Sequence, residues 1–256
     1  GGGDFVKFDE PQADQVFCPF EEVIDEIAER MDKVRKETKK NKVLSVNISA
    51  ADFETMIKRA KYVENKLEKG SYAFLVDGLT AGWTAVQTAR RHFPDVFIHF
   101  HRAGHGAFTR PENVFGFSVP ILTAFGRLAG ASGIHTGTAG IGKMKGDEED
   151  IQAVHTALDK VVEGQYFTQD WVNIKSCSPI ASGGLNPTKL HALIEAFETT
   201  DFITTMGAGC HAHPDGTRAG ATALVQACEA HIAGVSIEEY AKKHPELARA
   251  IEKFGK

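Results

Sequence analysis

The chain has 256 residues, of which 42% are hydrophobic and 25% are charged. This length and balance exclude a disordered or fibrous protein and favour one large α/β domain. The formal net charge of -5 disfavours nucleic-acid binding but allows a small phosphorylated ligand to bind in a cleft. No apolar run approaches the roughly 20 residues that cross a bilayer. The four cysteines lack zinc-site spacing and indicate reduced thiols in a cytoplasmic protein.

Short β-branched or aromatic runs alternate with helical patterns along the chain, as in repeated βα units around a parallel sheet. Helices are predicted over residues 20–38, 53–67 and 190–197, with Asp52 as the cap of the second and Pro187 opening the third. Seven strands are predicted, over residues 4–8, 43–47, 72–76, 96–100, 133–136, 178–181 and 201–206.

Seven βα units are one fewer than a closed eight-stranded barrel contains. Barrel enzymes often bind phosphate after strands seven and eight, and the last two predicted strands here end in glycine-rich loops at residues 182–184 and 207–209. The predicted fold is therefore an α/β protein, a (β/α)8 TIM barrel that lacks its first strand, over residues 1–235. Residues 236–256 are predicted as a helical extension of the same domain, opened by a Ser236–Glu239 capping box.

The first cluster of chemical interest ends the first predicted strand. Strand alternation places Lys7 and Asp9 on one face, and a turn could bring Glu10 beside them. Oxygen ligands of this kind suit Mg²⁺, and CO₂ can convert the lysine into a carbamate that supplies a further anionic oxygen. The same residues can instead form a solvated turn, so only their context decides between the two interpretations.

The second cluster lies at the end of the fifth barrel strand, counted with the lacking strand as the first. His99 and His101 share a predicted face, as metal ligands or acid–base groups, and Arg102 can bind a phosphate at the rim. The plainer interpretation is one buried and one surface histidine.

The third cluster is a glycine-rich segment over residues 135–146. It is predicted to be a mobile loop that carries Lys143 over a ligand, although it lacks the full P-loop spacing. The two loops after the last strands form the fourth cluster, because their backbone amides can bind phosphate. All four clusters follow strand ends, which is the catalytic face of a barrel.

These segments resemble the large subunits of ribulose-1,5-bisphosphate carboxylase/oxygenase (Rubisco), specifically the archaeal type II/III and type III forms. The resemblance extends over nearly the entire chain. It rests on residues 2–10, 100–110, 135–143, 182–187 and 206–209.

The resemblance implies a Mg²⁺ site in which a carbamylated Lys7 binds the ion together with Asp9 and Glu10. It also implies that His101 binds a substrate hydroxyl and relays protons. Lys143 would stabilise the new carboxylate when CO₂ adds to the enediolate.

The resemblance further implies two phosphate sites. Arg102 and His135 would bind one phosphate, and Ser182 would contact the sugar chain. The other phosphate would bind to glycine-rich backbone, formed by Gly183, Gly184, Gly207 and Ala208. Many members of the family have glycine at the position of Ala208, which is a departure of this sequence.

The implied activity is Mg²⁺-dependent enolisation and carboxylation, or oxygenation, of ribulose 1,5-bisphosphate to 3-phosphoglycerate, with CO₂ as activator. The implied enzyme is cytoplasmic, forms a homodimer or a ring of dimers, and has no nucleic-acid or membrane partner. The sequence begins with Gly1 rather than an initiator methionine, and the family's lysine-bearing first strand and N-terminal domain are absent from it. We therefore expect the 256-residue chain to be inactive by itself.

Three alternatives remain at this point. A Rubisco-like enolase or isomerase would share the barrel and the metal site without adding CO₂, but Lys143 argues against it. A metal-dependent amidohydrolase would also combine a carbamylated lysine with a His-x-His pair, but there the pair precedes the lysine. The third alternative is a non-catalytic assembly module.

Overall fold

The computed structural model describes residues 2–8, 14–143, 146–164 and 167–255, and of Asp147 only the backbone. The chain divides into two compact units. The first, here called the histidine unit, comprises Asp4–His135 and His155–Pro179. The second, here called the loop unit, comprises Gly1–Gly3, Thr136–Val154 and Ile180–Lys256.

The histidine unit contains five parallel strands that pair in chain order. They are β1 (Phe5–Lys7), β2 (Val43–Asn47), β3 (Tyr72–Asp77), β4 (Phe97–His101) and β5 (Gly133–His135). The helices that follow or connect them are α1 (Phe20–Thr38), α2 (Phe53–Lys66), α3 (Trp83–His92), α4 (Gly106–Thr109) and α5 (Val119–Leu128). A small antiparallel hairpin of β6 (Val161–Glu163) and β7 (Thr168–Asp170) completes this unit.

Alternation along the strands separates an apolar face from a polar one. Residues such as Leu44, Phe74 and Phe100 belong to the hydrophobic core that also includes residues of α1, α2, α3 and α5. The ring of Trp83 in α3 stacks on Phe100 at 5.6 Å between centroids, which closes the core over β4. The opposite face, here called the inner face, carries the polar residues that alternate with these, which are Ser45, Asn47, Asp77, His99, His101 and His135.

The loop unit contains a parallel strand pair and most of the C-terminal helices. Strand β8 (Ser178–Ser182), which crosses the boundary between the units, pairs with β9 (Ile203–Thr205), with Ser182 opposite Thr205. Helix α6 (Asp147–Leu158) also contains a boundary between the units. The remaining elements are a 3-10 turn (Pro187–Lys189), α7 (Leu190–Phe197), α8 (Gly207–His211), α9 (Thr217–Ile232), α10 (Ile237–Ala241) and α11 (Pro245–Phe254).

All seven predicted strands are present, and each observed strand begins within two residues of its predicted start and ends within one residue of its predicted end. Asp52 caps α2 as predicted, because its side chain accepts from Thr55 N at 2.7 Å. Ser236 caps α10 by accepting from Glu239 N at 3.2 Å, which confirms one half of the predicted capping box. Pro187 opens a 3-10 turn that leads into α7. The boundary predicted between residues 235 and 236 stays a prediction.

One feature differs from the expectations. Residues 207–209, predicted as a loop, are instead the start of the one-turn helix α8, in which Cys210 N donates to Met206 O at 3.0 Å. The predicted helical extension is present as two helices, because Pro245 starts α11 after α10 has ended at Ala241.

Within the described ranges, no helix combines the length and the apolar character that a membrane-spanning helix needs. All four cysteines are free thiols, as their spacing predicts.

Candidate functional site

Lys7 is the last residue of β1 and is in register with Ser45 of β2. Its neighbour Val6 is 54% exposed, whereas Lys7 is half-buried, so alternation assigns Lys7 to the inner face with Ser45. Asp9 and Glu10, the other two predicted ligands of Mg²⁺, lie outside the described residues. Among the residues that are described, no group of three or more histidine, cysteine or acidic side chains could hold a metal ion.

The chemistry of the donor set at Lys7 fits Mg²⁺. An amine on the polar inner face can take up CO₂ to become an anionic oxygen donor, and two carboxylates follow within three residues in the sequence. Three anionic oxygen ligands suit a hard cation such as Mg²⁺ better than they suit Zn²⁺. These three residues are therefore the ones that would hold the ion.

Three histidines of the inner face are in direct contact. His99 Nε2 lies 2.8 Å from His135 Nε2, and the two rings are stacked at 4.9 Å between centroids. The ring of His101 meets that of His135 edge-on at 4.8 Å. His99 and His101 therefore share a face, as the alternation in β4 predicts, and His135 of β5 joins them.

The surroundings of His135 disfavour its protonated form. Burial lowers the pKa of His135 well below its usual value, and the neighbouring basic side chains of His99, His101, Arg102 and Lys7 lower it further. A neutral imidazole carries one N–H, so it can donate a single hydrogen bond to a ligand while its other nitrogen accepts one.

Asp77, the last residue of β3, is in register with His101, the last residue of β4. The distance from Asp77 Oδ2 to His101 Nδ1 is 3.8 Å, and Asp77 is 5% exposed. His101 Nδ1 also accepts a hydrogen bond of 3.3 Å from Ala103 N. The role of His101 in binding a substrate hydroxyl and relaying protons stays a prediction.

His105 at the start of α4 is a further histidine near Arg102. Burial lowers its pKa to about 4, and the charges of Arg102, His101 and Arg110 contribute. Its Nδ1 lies 2.7 Å from the Thr109 hydroxyl, so His105 supports the chain that follows β4 as a neutral residue. Arg102 itself is 8% exposed at the end of β4.

The predicted loop in the loop unit is anchored by the buried carboxylate of Asp150 in α6. Asp150 Oδ2 accepts from Thr138 N at 2.9 Å and from Ala139 N at 3.0 Å. Lys189 Nζ adds a bond of 2.8 Å to Ile141 O. The first half of the glycine-rich segment is therefore held at three backbone positions, Thr138, Ala139 and Ile141.

Lys143 lies against the loop that follows β8. Lys143 N donates to Gly183 O at 3.0 Å, and its side chain is exposed. Gly184 has a φ of 73°, and a Cβ on it would lie 2.2 Å from Lys143 Cγ. The glycine pair after β8 thus provides the space that Lys143 occupies, which links two of the clusters predicted separately from the sequence.

The second predicted phosphate site combines the end of β8 with the start of α8. Ser182 ends β8, and Gly207 and Ala208 form the first turn of α8. First-turn amides have no acceptor within their own helix, so they can donate to an anion as the predicted loop amides would.

The structure adds three residues that the sequence patterns did not identify as parts of the site: Ser45, Asp77 and Asp150. The sequence signal for Ser45 is a polar residue between Leu44 and Val46, and Asp77 ends the apolar run of β3. Asp150 is one of four acidic residues between 147 and 150, with no pattern that sets it apart.

Comparison with known proteins gives consistent matches over almost the complete chain. Residues 1–254 match the family model described as "Ribulose bisphosphate carboxylase large chain, catalytic domain". A protein of Rhodobacter capsulatus named ribulose bisphosphate carboxylase is 44% identical over 99% of this chain. One of Paramagnetospirillum magnetotacticum with the same name is also 44% identical over 99% of it. The chain spans 56% of the length of each of these two relatives.

Solved structures show the same similarity. A dimeric archaeal Rubisco from Hyperthermus butylicus matches with a TM-score of 0.90 and 38% identity, over 99% of this chain and 59% of that one. An octameric Rubisco from Pyrococcus horikoshii matches with a TM-score of 0.88 and 36% identity, over 99% of this chain and 58% of that one. The predicted barrel fold is thereby confirmed, while the assignment to archaeal types within the family stays a prediction. The chain belongs to the ribulose bisphosphate carboxylase large-chain family, and residues 1–254 correspond to its catalytic domain.

Proposed function

We propose that this chain is the catalytic part of an enzyme that enolises ribulose 1,5-bisphosphate and then carboxylates or oxygenates it, with 3-phosphoglycerate as the product of carboxylation. The observation that carries the proposal is the position of the reactive side chains at strand ends. Lys7, His101 and His135 share the inner face of the histidine unit, and Lys143 contacts the glycine pair after β8 in the loop unit. The family match over residues 1–254 supports the same reaction.

The roles follow from the chemistry of each group. Mg²⁺, held by carbamylated Lys7 with Asp9 and Glu10, would supply the positive charge that lowers the cost of forming an enediolate. His101 binds a substrate hydroxyl and exchanges its proton, and the Asp77 carboxylate lies 3.8 Å from its Nδ1.

The two phosphates of the substrate need different partners. Arg102 and His135 bind one phosphate, with the arginine supplying charge and the neutral histidine supplying one N–H. The amides of Gly183, Gly184, Gly207 and Ala208 bind the other, which requires no side-chain charge.

The remaining two residues act on the sugar and on CO₂. Ser182 contacts the sugar chain between the two phosphates. Lys143 places its ammonium group beside the carboxylate that forms when CO₂ adds to the enediolate, and the contact with Gly183 fixes its backbone for that task.

Lys143 separates this proposal from its main alternative, a Rubisco-like enolase or isomerase. In the full-length protein, Lys143→Met should lower the carboxylation rate by roughly 10²- to 10³-fold, because the positive charge that stabilises the new carboxylate is lost. Enolisation, measured as exchange of the substrate C3 proton with solvent deuterium, should be largely spared. The exposed Lys160, replaced by Met, is the control and should leave both rates within about twofold.

Unchanged carboxylation in Lys143→Met would mean that the loop has been misassigned. Enolisation without any CO₂ fixation by the unaltered protein would favour the enolase alternative. The metal-dependent amidohydrolase has lost its support, because the family match extends over residues 1–254.

The whole protein is proposed to be a cytoplasmic homodimer or a ring of dimers, by analogy with the dimeric and octameric relatives. In the family, an N-terminal domain of a neighbouring subunit completes each site, and the first barrel strand contributes a lysine to proton transfer. We therefore propose that the 256-residue chain alone shows no turnover.

A further inference from the structure

Ser45 of β2 extends the histidine cluster by one further contact. The Ser45 hydroxyl oxygen lies 2.8 Å from His99 Nδ1, and His99 Nε2 lies 2.8 Å from His135 Nε2. Ser45 and His99 are completely buried, and His135 is 4% exposed. The three side chains therefore form a continuous chain of hydrogen bonds across the inner face of the histidine unit, with little access for water to replace a missing partner.

Each contact in this chain needs one hydrogen atom, so the direction of one bond fixes the direction of the next. If the Ser45 hydroxyl donates to His99 Nδ1, a neutral His99 carries its hydrogen on Nε2 and donates it to His135 Nε2. A neutral His135 then carries its own hydrogen on Nδ1. If the chain runs the other way, His135 donates from Nε2, His99 donates from Nδ1 to the Ser45 oxygen, and Nδ1 of His135 has only a lone pair.

Only the first direction suits a phosphate ligand. The oxygens of a phosphate dianion accept hydrogen bonds and do not donate them, so a neutral histidine must present an N–H to them. Burial and the neighbouring basic side chains hold the pKa of His135 well below its usual value, so a second hydrogen on the ring is disfavoured. The tautomer of His135 therefore decides whether this residue attracts or repels a phosphate.

We propose that Ser45 is a positioning residue, whose hydroxyl donates to His99 and thereby holds the hydrogen of His135 on Nδ1, ready for a substrate phosphate. This inference rests on the proposed function, because that function assigns His135 to a phosphate. It adds Ser45 and His99 to the site as groups that act through His135 and do not touch the substrate themselves.

The test compares Ser45→Ala with the unaltered full-length protein. The tautomers of histidine are read from the ¹⁵N chemical shifts of the two ring nitrogens, and phosphate affinity is measured by titration calorimetry with inorganic phosphate. Ser45→Ala should change the tautomer population of His135 and weaken phosphate binding by about tenfold, as expected for one hydrogen bond to a charged group. With ribulose bisphosphate, KM should rise by a similar factor while kcat changes much less.

Two further variants separate positioning from simple loss of packing. Ser45→Thr retains the hydroxyl and should restore the tautomer and the phosphate affinity. Ser132→Ala removes another hydroxyl of the histidine unit, which accepts from Ile98 N at 3.1 Å and from Arg90 Nη2 at 2.6 Å. That variant should lose stability without any change in the His135 tautomer or in KM.

The outcomes distinguish the inference from the function on which it rests. An unaltered His135 tautomer in Ser45→Ala would overturn the proposal, and so would a changed tautomer with unaltered phosphate affinity. Both measurements work without turnover. A protein that does not carboxylate ribulose bisphosphate but shows the tautomer change and the loss of phosphate affinity would refute the proposed function and retain the role of Ser45.

Discussion

Replacing Lys7 by Met in the full-length protein should lower CO₂ fixation by roughly 10³-fold. Methionine has no amine that could take up CO₂, so the anionic oxygen that would complete the Mg²⁺ ligand set is lost. A bound metal contributes several kcal/mol to stabilising charge in a transition state, and each 1.4 kcal/mol is about tenfold in rate. The measurement is the incorporation of labelled CO₂ at saturating Mg²⁺, together with the affinity for Mg²⁺ by titration calorimetry.

The control for this substitution is Lys69→Met. Lys69 pairs with Asp95 at 3.2 Å, and both side chains are more than 70% exposed, so their ion pair contributes little. We expect less than about a twofold change in rate for this variant. Carboxylation by Lys7→Met within about tenfold of the unaltered protein would show that this lysine is not a metal ligand.

The second large effect concerns stability. Arg127 of α5 is 3% exposed, and its guanidinium donates to four backbone carbonyls of the segment around the β6–β7 hairpin. The acceptors are Lys175 O at 2.9 Å, Thr156 O at 2.8 Å, Asp159 O at 2.8 Å and Ile174 O at 3.3 Å. The guanidinium carbon also lies 4.4 Å from the centroid of the Trp171 ring.

Arg127→Met should lower the free energy of unfolding by about 3–5 kcal/mol, because buried carbonyls lose their donors and the cation–π contact is lost. Chemical denaturation of the full-length protein measures the effect, and limited proteolysis should locate new cleavage between residues 155 and 179. The matched control is Arg30→Met, because Arg30 is 74% exposed in its pair with Glu26. Arg30→Met should lower the free energy of unfolding by less than about 1 kcal/mol. An equal loss of unfolding free energy in the two variants would show that Arg127 does not anchor the segment around the β6–β7 hairpin.

The βα framework could be predicted from the sequence because most of its strands are recognisable from the composition of a few neighbouring residues. Val43–Asn47 and Tyr72–Asp77 are dense in β-branched or aromatic residues, and the helices between them carry apolar residues at helical spacing. The hairpin of β6 and β7 could not be predicted in this way, since its strands have three residues each and β7 reads Thr-Gln-Asp. The position of this hairpin depends on the hydrogen bonds that Arg127 donates on either side of it. Their acceptors, Thr156 O and Lys175 O, are 29 and 48 residues away from Arg127 in the sequence.

Some site residues could likewise be predicted from their neighbours in the sequence, whereas others depend on contacts with residues far away in the chain. Lys7, His101 and Lys143 could be selected because they stand at strand ends or in a glycine-rich loop. Ser45 could not, because its role depends on His99, 54 residues away, and a lone serine in a strand has no distinguishing pattern. Helix α8 was missed for a local reason: Gly207 and Gly209 have low helix propensity, so a single turn at this point gives no recognisable signal.

The most direct test of the account is to supply the full-length protein with ribulose 1,5-bisphosphate, Mg²⁺ and ¹³CO₂ and to analyse the products. We predict two molecules of 3-phosphoglycerate for each sugar consumed, one of which carries ¹³C in its carboxyl group, and no product from the 256-residue chain alone. Consumption or isomerisation of the sugar without ¹³C in any product would contradict the assignment of this chain to CO₂ fixation.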